Sequence, residues 1–244
     1  MKTKKAFLLI VLMTISIAIQ AQNEIPTINP TATFTTPDGK TEEGDTYSGS
    51  APLVGTFAAN PSNVGSYTAN YEWRFYLEGQ EDTPFLTRYE EETEYTFTTA
   101  GAHYIICYAT FINGTDTVRC DKEFYSDNDK SPFSVTIWES KLEMPNAFSP
   151  NGQEPNDIYR AKRDYQSIVE FHAYIFNRWG QKLYEWDNIA EGWDGTYNGK
   201  PVKQGVYYCL VKAKGADGRK FNIRTDVNLL RGFSEKSTNS DSNP

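Results

Sequence analysis

The residues from which most enzyme sites are built are scarce in this 244-residue chain, which has two histidines, three cysteines and three methionines. It also lacks a glycine-rich phosphate loop, a His-Glu-x-x-His motif, a nucleophile elbow and a Cys-x-x-Cys pair. These patterns hold phosphate, metal or a nucleophile in many enzymes. We therefore expect a protein that is not an enzyme and has no catalytic, metal-binding or cofactor-binding residues, with His103 and His172 serving as strand residues.

Beyond its N-terminus the chain has no run approaching the ~20 apolar residues of a membrane-spanning helix. Its beginning joins three lysines to an uncharged run from Ala6 to Ile19, followed by the small residue Ala21. This layout predicts a signal peptide cleaved after Ala21. The segment contains no cysteine, which excludes a lipid anchor on a cysteine at the cleavage point. We expect an exported chain with no direct membrane insertion.

Basic residues are outnumbered, with 24 lysines and arginines against 32 acidic residues. Removal of the predicted signal peptide leaves 21 basic and 32 acidic residues, a net charge of −11. Nucleic acids and anionic membrane surfaces would both repel this charge, so neither is an expected partner.

The composition favours β-structure, with 16 tyrosines and 14 phenylalanines and few stretches of helical periodicity. About 220 mature residues fit two domains of ordinary size. We predict an all-β fold of two consecutive antiparallel, immunoglobulin-like β-sandwiches. The predicted limits are a signal peptide at 1–21, a linker at 22–30, a first sandwich at 31–140, a second domain at 141–233 and a disordered tail at 234–244.

Short strand-like segments follow one another in the first domain, including YEWRFY and DTVRCDKEF. In YEWRFY, alternation places Trp73 and Phe75 on one face and Glu72 and Arg74 on the other, so Trp73 is predicted to lie in the core.

A hairpin is predicted in CYATFINGTDTVRC, because Asn-Gly between alternating segments is a strong turn signal. With the turn centred on Asn113 and Gly114, Cys107 and Cys120 face each other as a non-hydrogen-bonded pair, whose side chains lie closest. In an exported protein this register predicts a disulfide between them. Cys209 is predicted to be a free thiol on a strand.

YEWRFY followed by YTFTTAGAHYIICYATFINGTD resembles the polycystic-kidney-disease (PKD) type of immunoglobulin-like domain. That resemblance implies a sandwich that presents loops or edges to a partner.

In the second domain, alternation over SIVEFHAYIF, residues 167–176, predicts a half-buried strand with Val169, Phe171, Ala173 and Ile175 on one face. NRWG and GWDGTYNGK supply turns, so Trp179 and Trp193 are expected at turns, and Trp186 is expected to end a short strand.

PNAFSPNG, ND, IFNRWG, WDG with NGK, GVY and LLR occur in an order that resembles the gliding-motility-associated C-terminal domain, the type B sorting domain of the type IX secretion system. The resemblance implies an export signal that contacts the outer-membrane type IX translocon. This chain departs from the family at Gln153 and Glu154, where an Asp-Gly pair is usual. The matching positions are Pro145, Asn146, Phe148, Pro150, Asn151, Gly152, Asn156, Asp157, Asn177, Arg178, Trp179, Gly180, Trp193, Asp194, Gly195, Gly205, Tyr207, Leu230 and Arg231.

The sequence therefore predicts a cell-surface or secreted protein with an adhesin-like first domain and an extracellular protein or glycan as its ligand. Two alternatives remain. The chain could be a periplasmic or outer-membrane-associated assembly subunit that docks through its C-terminal domain. It could also bind glycans through exposed aromatic residues such as Tyr67, Tyr89 or Trp138.

Overall fold

A computed structural model of the protein describes residues 25–152 and 155–231. Nineteen strands and one short helix within these residues confirm the all-β fold class. The predicted signal peptide, the predicted tail and the Gln153–Glu154 departure lie outside the described residues and stay predictions.

The N-terminal part, up to residue 140, contributes twelve strands and the helix. In chain order the elements are β1 (Thr27–Ile28), β2 (Thr31–Thr35), β3 (Thr41–Glu43), β4 (Thr46–Gly49), β5 (Leu53–Ala58), β6 (Pro61–Ser62), β7 (Thr68–Leu77), β8 (Leu86–Arg88), β9 (Glu92–Phe97), β10 (Gly101–Asn113), β11 (Asp116–Cys120), α1 (Lys122–Asp127) and β12 (Phe133–Ile137).

Two main sheets form this part, one of order β4-β12-β10-β7-β8 with β11 also paired to β10, and one of order β3-β2-β5-β9, and β1 and β6 form a separate two-stranded sheet. Their pairings are antiparallel except for β4 with β12. Aromatic residues of the two sheets meet, since Phe57 of β5 packs edge-on against Phe75 of β7 with ring centroids 5.6 Å apart. Trp73 is fully buried, as predicted, and its indole N–H donates to the carbonyl of Glu90 at 3.0 Å.

The packed structure begins earlier than the sequence suggested. The predicted linker at 22–30 contains β1, which pairs with β6, and Ile28 is 1% exposed within the core. The neighbouring prolines Pro26 and Pro30 made this stretch read as an unpaired lead-in, whereas a two-residue strand fits between them. Thr27 and Ile28 therefore belong to the packed N-terminal part, and the predicted domain limits stay predictions.

The turn between β10 and β11 lies one residue later than predicted, which shifts the pairing register by two residues. Asn113 pairs with Asp116, so Gly114 and Thr115 are the central turn residues. Gly114 has φ +60 and Asn113 is not left-handed. A positive φ at the first central position, supplied by glycine, is the pattern of a type II′ turn, and it replaces the predicted turn centred on Asn113 and Gly114.

That shift places Cys120 opposite Ala109, while Cys107 pairs with Trp73 on β7. Cys107, Cys120 and Cys209 are all free and buried. The predicted register is wrong, and the disulfide that depended on it is not formed. The prediction of a free Cys209 on a strand is confirmed.

The predicted strand DTVRCDKEF ends at Cys120, and α1 follows it. Asp121 caps this helix, because its carboxylate accepts the N–H of Glu123 at 3.1 Å. On the helix, Tyr125 is buried and donates its hydroxyl proton to the carbonyl of Cys107 at 2.7 Å. The Asp121 carboxylate thus satisfies a backbone N–H in the first turn of α1, so the chain continues after Cys120 as a helix and not as a strand.

The C-terminal part, from residue 141, contains seven further strands. They are β13 (Ala147–Phe148), β14 (Ile168–Phe176), β15 (Lys182–Trp186), β16 (Thr196–Tyr197), β17 (Lys200–Pro201), β18 (Gly205–Gly215) and β19 (Lys220–Leu229).

Five of these strands form one sheet of order β13-β19-β18-β14-β15, in which only β13 and β19 are parallel. Its inner face carries residues such as Ile175, Val211 and Val227, all fully buried. The layer over this face consists of connecting segments and the β16–β17 hairpin, which contribute the buried Tyr159 and Trp193. A second full sheet is therefore not needed to close this core.

Direct hydrogen bonds join the two parts. The N–H of Ala51 donates to the Ser167 hydroxyl at 3.1 Å, and the N–H of Ala100 donates to the carbonyl of Ala216 at 3.0 Å. The Ser140 hydroxyl donates to the Asp217 carboxylate at 2.7 Å. Ala216 also packs into the N-terminal core.

The buried cysteines should be unreactive in the folded protein, because burial raises the pKa of all three thiols, that of Cys209 to about 11. At pH 7 the Cys209 thiolate would then be about one part in 10,000. We expect no iodoacetamide adduct on the native protein and three adducts in denaturant without reductant, counted by intact mass. A single adduct in denaturant would show that two cysteines had been joined.

The stability should fall when His103 is protonated. This side chain is 3% exposed between Phe85 and Phe97, and its Nδ1 has no hydrogen-bond partner within the described residues. Burial lowers the pKa of His103 from its usual 6.5. The unfolded chain therefore binds the proton more readily, and the free energy of unfolding falls as the pH drops below about 6.5.

Urea unfolding at pH 7 and pH 5.5 measures this dependence. In the His103→Gln variant, the free energies of unfolding at the two pH values should differ much less than they do in the wild type. If the variant and the wild type show the same difference in free energy of unfolding between pH 7 and pH 5.5, other titratable groups cause the pH dependence.

Candidate functional site

Most of the motif residues gather at one end of the five-stranded sheet, although they span 87 positions of the sequence. At this end β14 and β19 stop and β18 starts, and β13 pairs with the last residues of β19. We call it the motif end. The sheet topology brings together residues 145–152 with 155–157, 177–180, 193–207 and 230–231.

An aromatic cluster fills the inside of the motif end. Trp193 is fully buried, with its ring centroid 5.3 Å from that of Phe148 and 5.1 Å from that of Tyr207. Backbone bonds in both directions pair Trp193 with Tyr159, at 2.8 and 2.9 Å. The indole N–H donates to the carbonyl of Thr196 at 2.7 Å, so the only polar atom of the Trp193 side chain is satisfied.

The loop after β13 is closed by Asp157. One oxygen of its carboxylate accepts the backbone N–H groups of both Asn151 and Gly152, each at 2.8 Å. Gly152 has φ +81, a left-handed conformation that glycine adopts without strain. The Ser149 hydroxyl ties the base of the loop to the carbonyl of Leu230 at 2.9 Å.

Arg231 fastens the end of the chain's last described segment to the Trp193 loop. Its Nε donates to the carbonyl of Val202 at 2.9 Å, and its Nη2 donates to the carbonyl of Gly195 at 2.8 Å. Gly195 is buried with φ +80, next to Leu229 and Pro150. Asp194 stabilises the same turn, because its carboxylate accepts the N–H and the hydroxyl of Thr196.

The 177–181 turn connects β14 to β15 and is organised by Asn177. The side-chain oxygen of Asn177 accepts the N–H groups of Trp179 and Gln181, both at 3.0 Å. Its amide nitrogen donates to the side chain of Gln181, also at 3.0 Å. The turn displays Arg178 and Trp179 outwards, with the guanidinium carbon 4.4 Å from the centre of the indole and Trp179 75% exposed.

The sequence singled out most of this site but missed three of its residues. Tyr159 lies in the aromatic cluster, Ser149 anchors Leu230, and Gln181 donates from Nε2 to the Tyr197 hydroxyl at 3.2 Å. Each is adjacent or close to a motif, yet its partner is distant in sequence. Only the folded topology reveals these contacts.

The aromatic residues considered for glycan binding do not form one platform. The Tyr67 hydroxyl donates to Asp116 beside the β10–β11 turn, whereas Trp138 follows β12 next to the start of β10. These two ends of β10 are about 40 Å apart at 3.3 Å per residue. Tyr89 is 69% exposed beyond β8.

No group of three or more His, Cys, Asp or Glu side chains gathers closely enough for a metal ion in residues 25–152 and 155–231. Within the same residues, no helix is both long and apolar enough to cross a membrane.

The fold and the motif end thus define an all-β chain with a compact C-terminal unit of about 90 residues. Residues 142–223 of this unit match the family model of the CHU_C Type IX secretion signal domain. The match covers about a third of the chain and stops before Leu230 and Arg231. The assignment of these two residues therefore remains a prediction, although both contact the matched segment. A type IX secretion signal directs a protein to the cell surface or the extracellular space.

No curated protein matches the chain. Similar solved structures include dimeric latent PorU from Porphyromonas gingivalis, at 13% identity and a TM-score of 0.23, with 86% of this chain covered and 20% of the other. A tetra-tandem repeat of a large adhesion protein has 9% identity, a TM-score of 0.27 and coverages of 84% and 68%. Drosophila N-cadherin EC1-4 has 13% identity, a TM-score of 0.21 and coverages of 76% and 47%. The chain spans only a fifth of PorU, and similarity at this level assigns no function.

Two glycines in left-handed turns test the packing of the motif end. A Cβ added at Gly195 would lie 3.0 Å from Leu229 and 3.2 Å from the Arg231 guanidinium, whereas Gly199, with φ +72, has nothing within 4 Å. We expect Gly199→Ala to cost about 1–2 kcal/mol for its backbone conformation alone. Gly195→Ala should cost about 1–3 kcal/mol more, because crowding adds to the same strain.

Urea unfolding of the full-length variants measures the two costs. Equal losses of stability at the two glycines would contradict the close packing around Gly195.

Proposed function

We propose that the protein is exported as cargo of a type IX secretion system, with residues 141–233 as its sorting domain and residues 31–140 as the part that acts outside the cell. The match of residues 142–223 to a type IX signal family carries this proposal. The convergence of the motif residues on one end of the sheet supports it. At that end, residues from separate segments of the sequence form one surface, as a folded export signal requires.

The N-terminal part is proposed to be a PKD-type, immunoglobulin-like binding module with an adhesin-like role. Its two-layer arrangement of antiparallel sheets is compatible with that type, and β3 and β8 lie at sheet edges where a partner could bind. Its aromatic residues also fit an extracellular protein or glycan as ligand. The step from sandwich to binding is an analogy at the level of the fold.

The proposed function is not enzymatic. Both histidines fit this proposal, since His103 is buried among aromatic rings and His172 lies exposed on a strand. The three thiols are buried with raised pKa values, whereas acyl-transfer catalysis by a cysteine needs an activated thiolate. The hydroxyls of Ser140 and Thr196 contact the carboxylates of Asp217 and Asp194, and these contacts join the two parts of the chain and hold a turn.

The expected partner of the C-terminal part is the outer-membrane type IX translocon, and the expected location is the cell surface or the medium. The competing proposal keeps the protein in the periplasm or at the outer membrane as an assembly subunit that docks through the same domain. The two proposals differ in where the N-terminal part resides.

Localisation in the native cells tests the proposal. Full-length protein should be cleaved by protease added to intact cells or be found in the medium, whereas a chain truncated after Lys141 should stay in the periplasm. Trp193→Ala should be retained in the same way, because loss of a buried tryptophan costs about 3–5 kcal/mol and disrupts the domain.

Limited proteolysis of the periplasmic fraction must show that the truncated N-terminal part is still folded. Retention of all three proteins in the periplasm would favour the assembly subunit. Export of the truncated chain would contradict a sorting role for residues 142–244.

A further inference from the structure

The aromatic side chains of the motifs fall into two groups by exposure. Phe148, Trp193 and Tyr207 are at most 9% exposed and build the core of the motif end. Trp179 is 75% exposed, and Arg178 beside it is exposed as well. A tryptophan in this position contributes little to the packing of its own domain, and exposed indoles are frequent anchors of protein–protein contacts.

The 177–181 turn is held in one shape before any partner binds. Asn177 closes it through the three side-chain hydrogen bonds described above, and Gly180 provides the left-handed residue at φ +80 that the turn needs. Because the backbone is already ordered, binding through Trp179 would cost little conformational entropy.

Hydrogen bonds from the core of the motif end also fix the orientation of the 177–181 turn. Trp193 donates to the carbonyl of Thr196, the next residue Tyr197 accepts a hydrogen bond from Gln181, and Gln181 belongs to the turn. The buried tryptophan is thus connected to the exposed Trp179 through two side-chain hydrogen bonds.

The charge of the chain is divided between its two parts. Residues 25–140 contain 18 acidic and six basic residues, whereas residues 141–231 contain 11 acidic and 14 basic residues. The positive excess is thus confined to the part that carries the turn. Arg178 packs on the Trp179 ring, and no carboxylate among the described residues pairs with it. An acidic partner surface would complement this arrangement.

We infer that the 177–181 turn is the element of the sorting domain that the export machinery recognises. Trp179 enters an apolar pocket on an acidic surface of an outer-membrane translocon protein, and Arg178 pairs with a carboxylate at the rim of that pocket. This inference rests on the proposed function. A protein partner is favoured over an anionic lipid surface, because the acidic N-terminal part would be repelled by such a surface and a single indole provides weak anchoring.

The test compares export of four full-length proteins in the native cells: wild type, Trp179→Ala, Arg178→Glu and the control Tyr208→Ala. Tyr208 is a 46% exposed aromatic residue on β18 of the same sheet, outside the turn. Truncation of a tryptophan anchor weakens binding about 30-fold or more. We therefore expect Trp179→Ala and Arg178→Glu to lower the exported fraction about tenfold or more, and Tyr208→Ala to stay near wild type.

Thermal unfolding of the purified variants separates recognition from folding. All three substitutions are at exposed positions, so the melting temperatures should stay within about 2 °C of wild type. Normal export of Trp179→Ala, or a fall in export matched by Tyr208→Ala, overturns the inference.

The chain truncated after Lys141 distinguishes this failure from failure of the proposed function. Retention of the truncated chain with normal export of Trp179→Ala overturns the role of the turn alone, whereas export of the truncated chain overturns both. Lipopolysaccharide vesicles serve as the membrane probe. If wild type co-sediments with them and Trp179→Ala does not, the turn binds lipid and the protein pocket is ruled out.

Discussion

The C-terminal part depends on the burial of Trp193 more than on any other single interaction. Its indole would cost free energy to bury with an unpaired N–H, and the Thr196 carbonyl removes that cost. The backbone bonds with Tyr159 then hold a long connecting segment against the inner face of a single sheet. Without this contact the sheet would expose an apolar face, because among the described residues only connecting segments and the β16–β17 hairpin cover it.

The same contact explains why a short domain can carry so many motifs. Gly195 must be glycine to let Leu229 and the Arg231 guanidinium come close, and Asp194 must hold the turn that follows the tryptophan. Such residues serve the fold, although other motif residues, such as Asn146, Asn156 and Arg178, are exposed. A residue that belongs to a sequence motif of this domain is therefore not necessarily one that contacts a binding partner.

Prediction from sequence succeeded where local rules decide the structure. Alternation identified the buried Trp73 and the strand around Phe171, and the Asn198-Gly199 pair forms the left-handed turn expected of it. Prediction failed at the β10–β11 hairpin, where Asn-Gly and Gly-Thr turns compete. The turn lies one residue later than predicted, which shifts the pairing by two residues and places Cys120 opposite Ala109 instead of Cys107. It also failed for the contacts of Tyr159 and Gln181, which depend on loops brought together by topology.

The hydrogen bonds that join the two parts have a consequence for any proteolytic separation of them. Cutting the chain near Lys141 would take Ser167 and Ala216 away from the N–H groups of Ala51 and Ala100. The freed end of the N-terminal sandwich would then present unpaired backbone donors beside newly uncovered apolar surface. A processed form of the protein would therefore differ from the full chain in adhesiveness as well as in length.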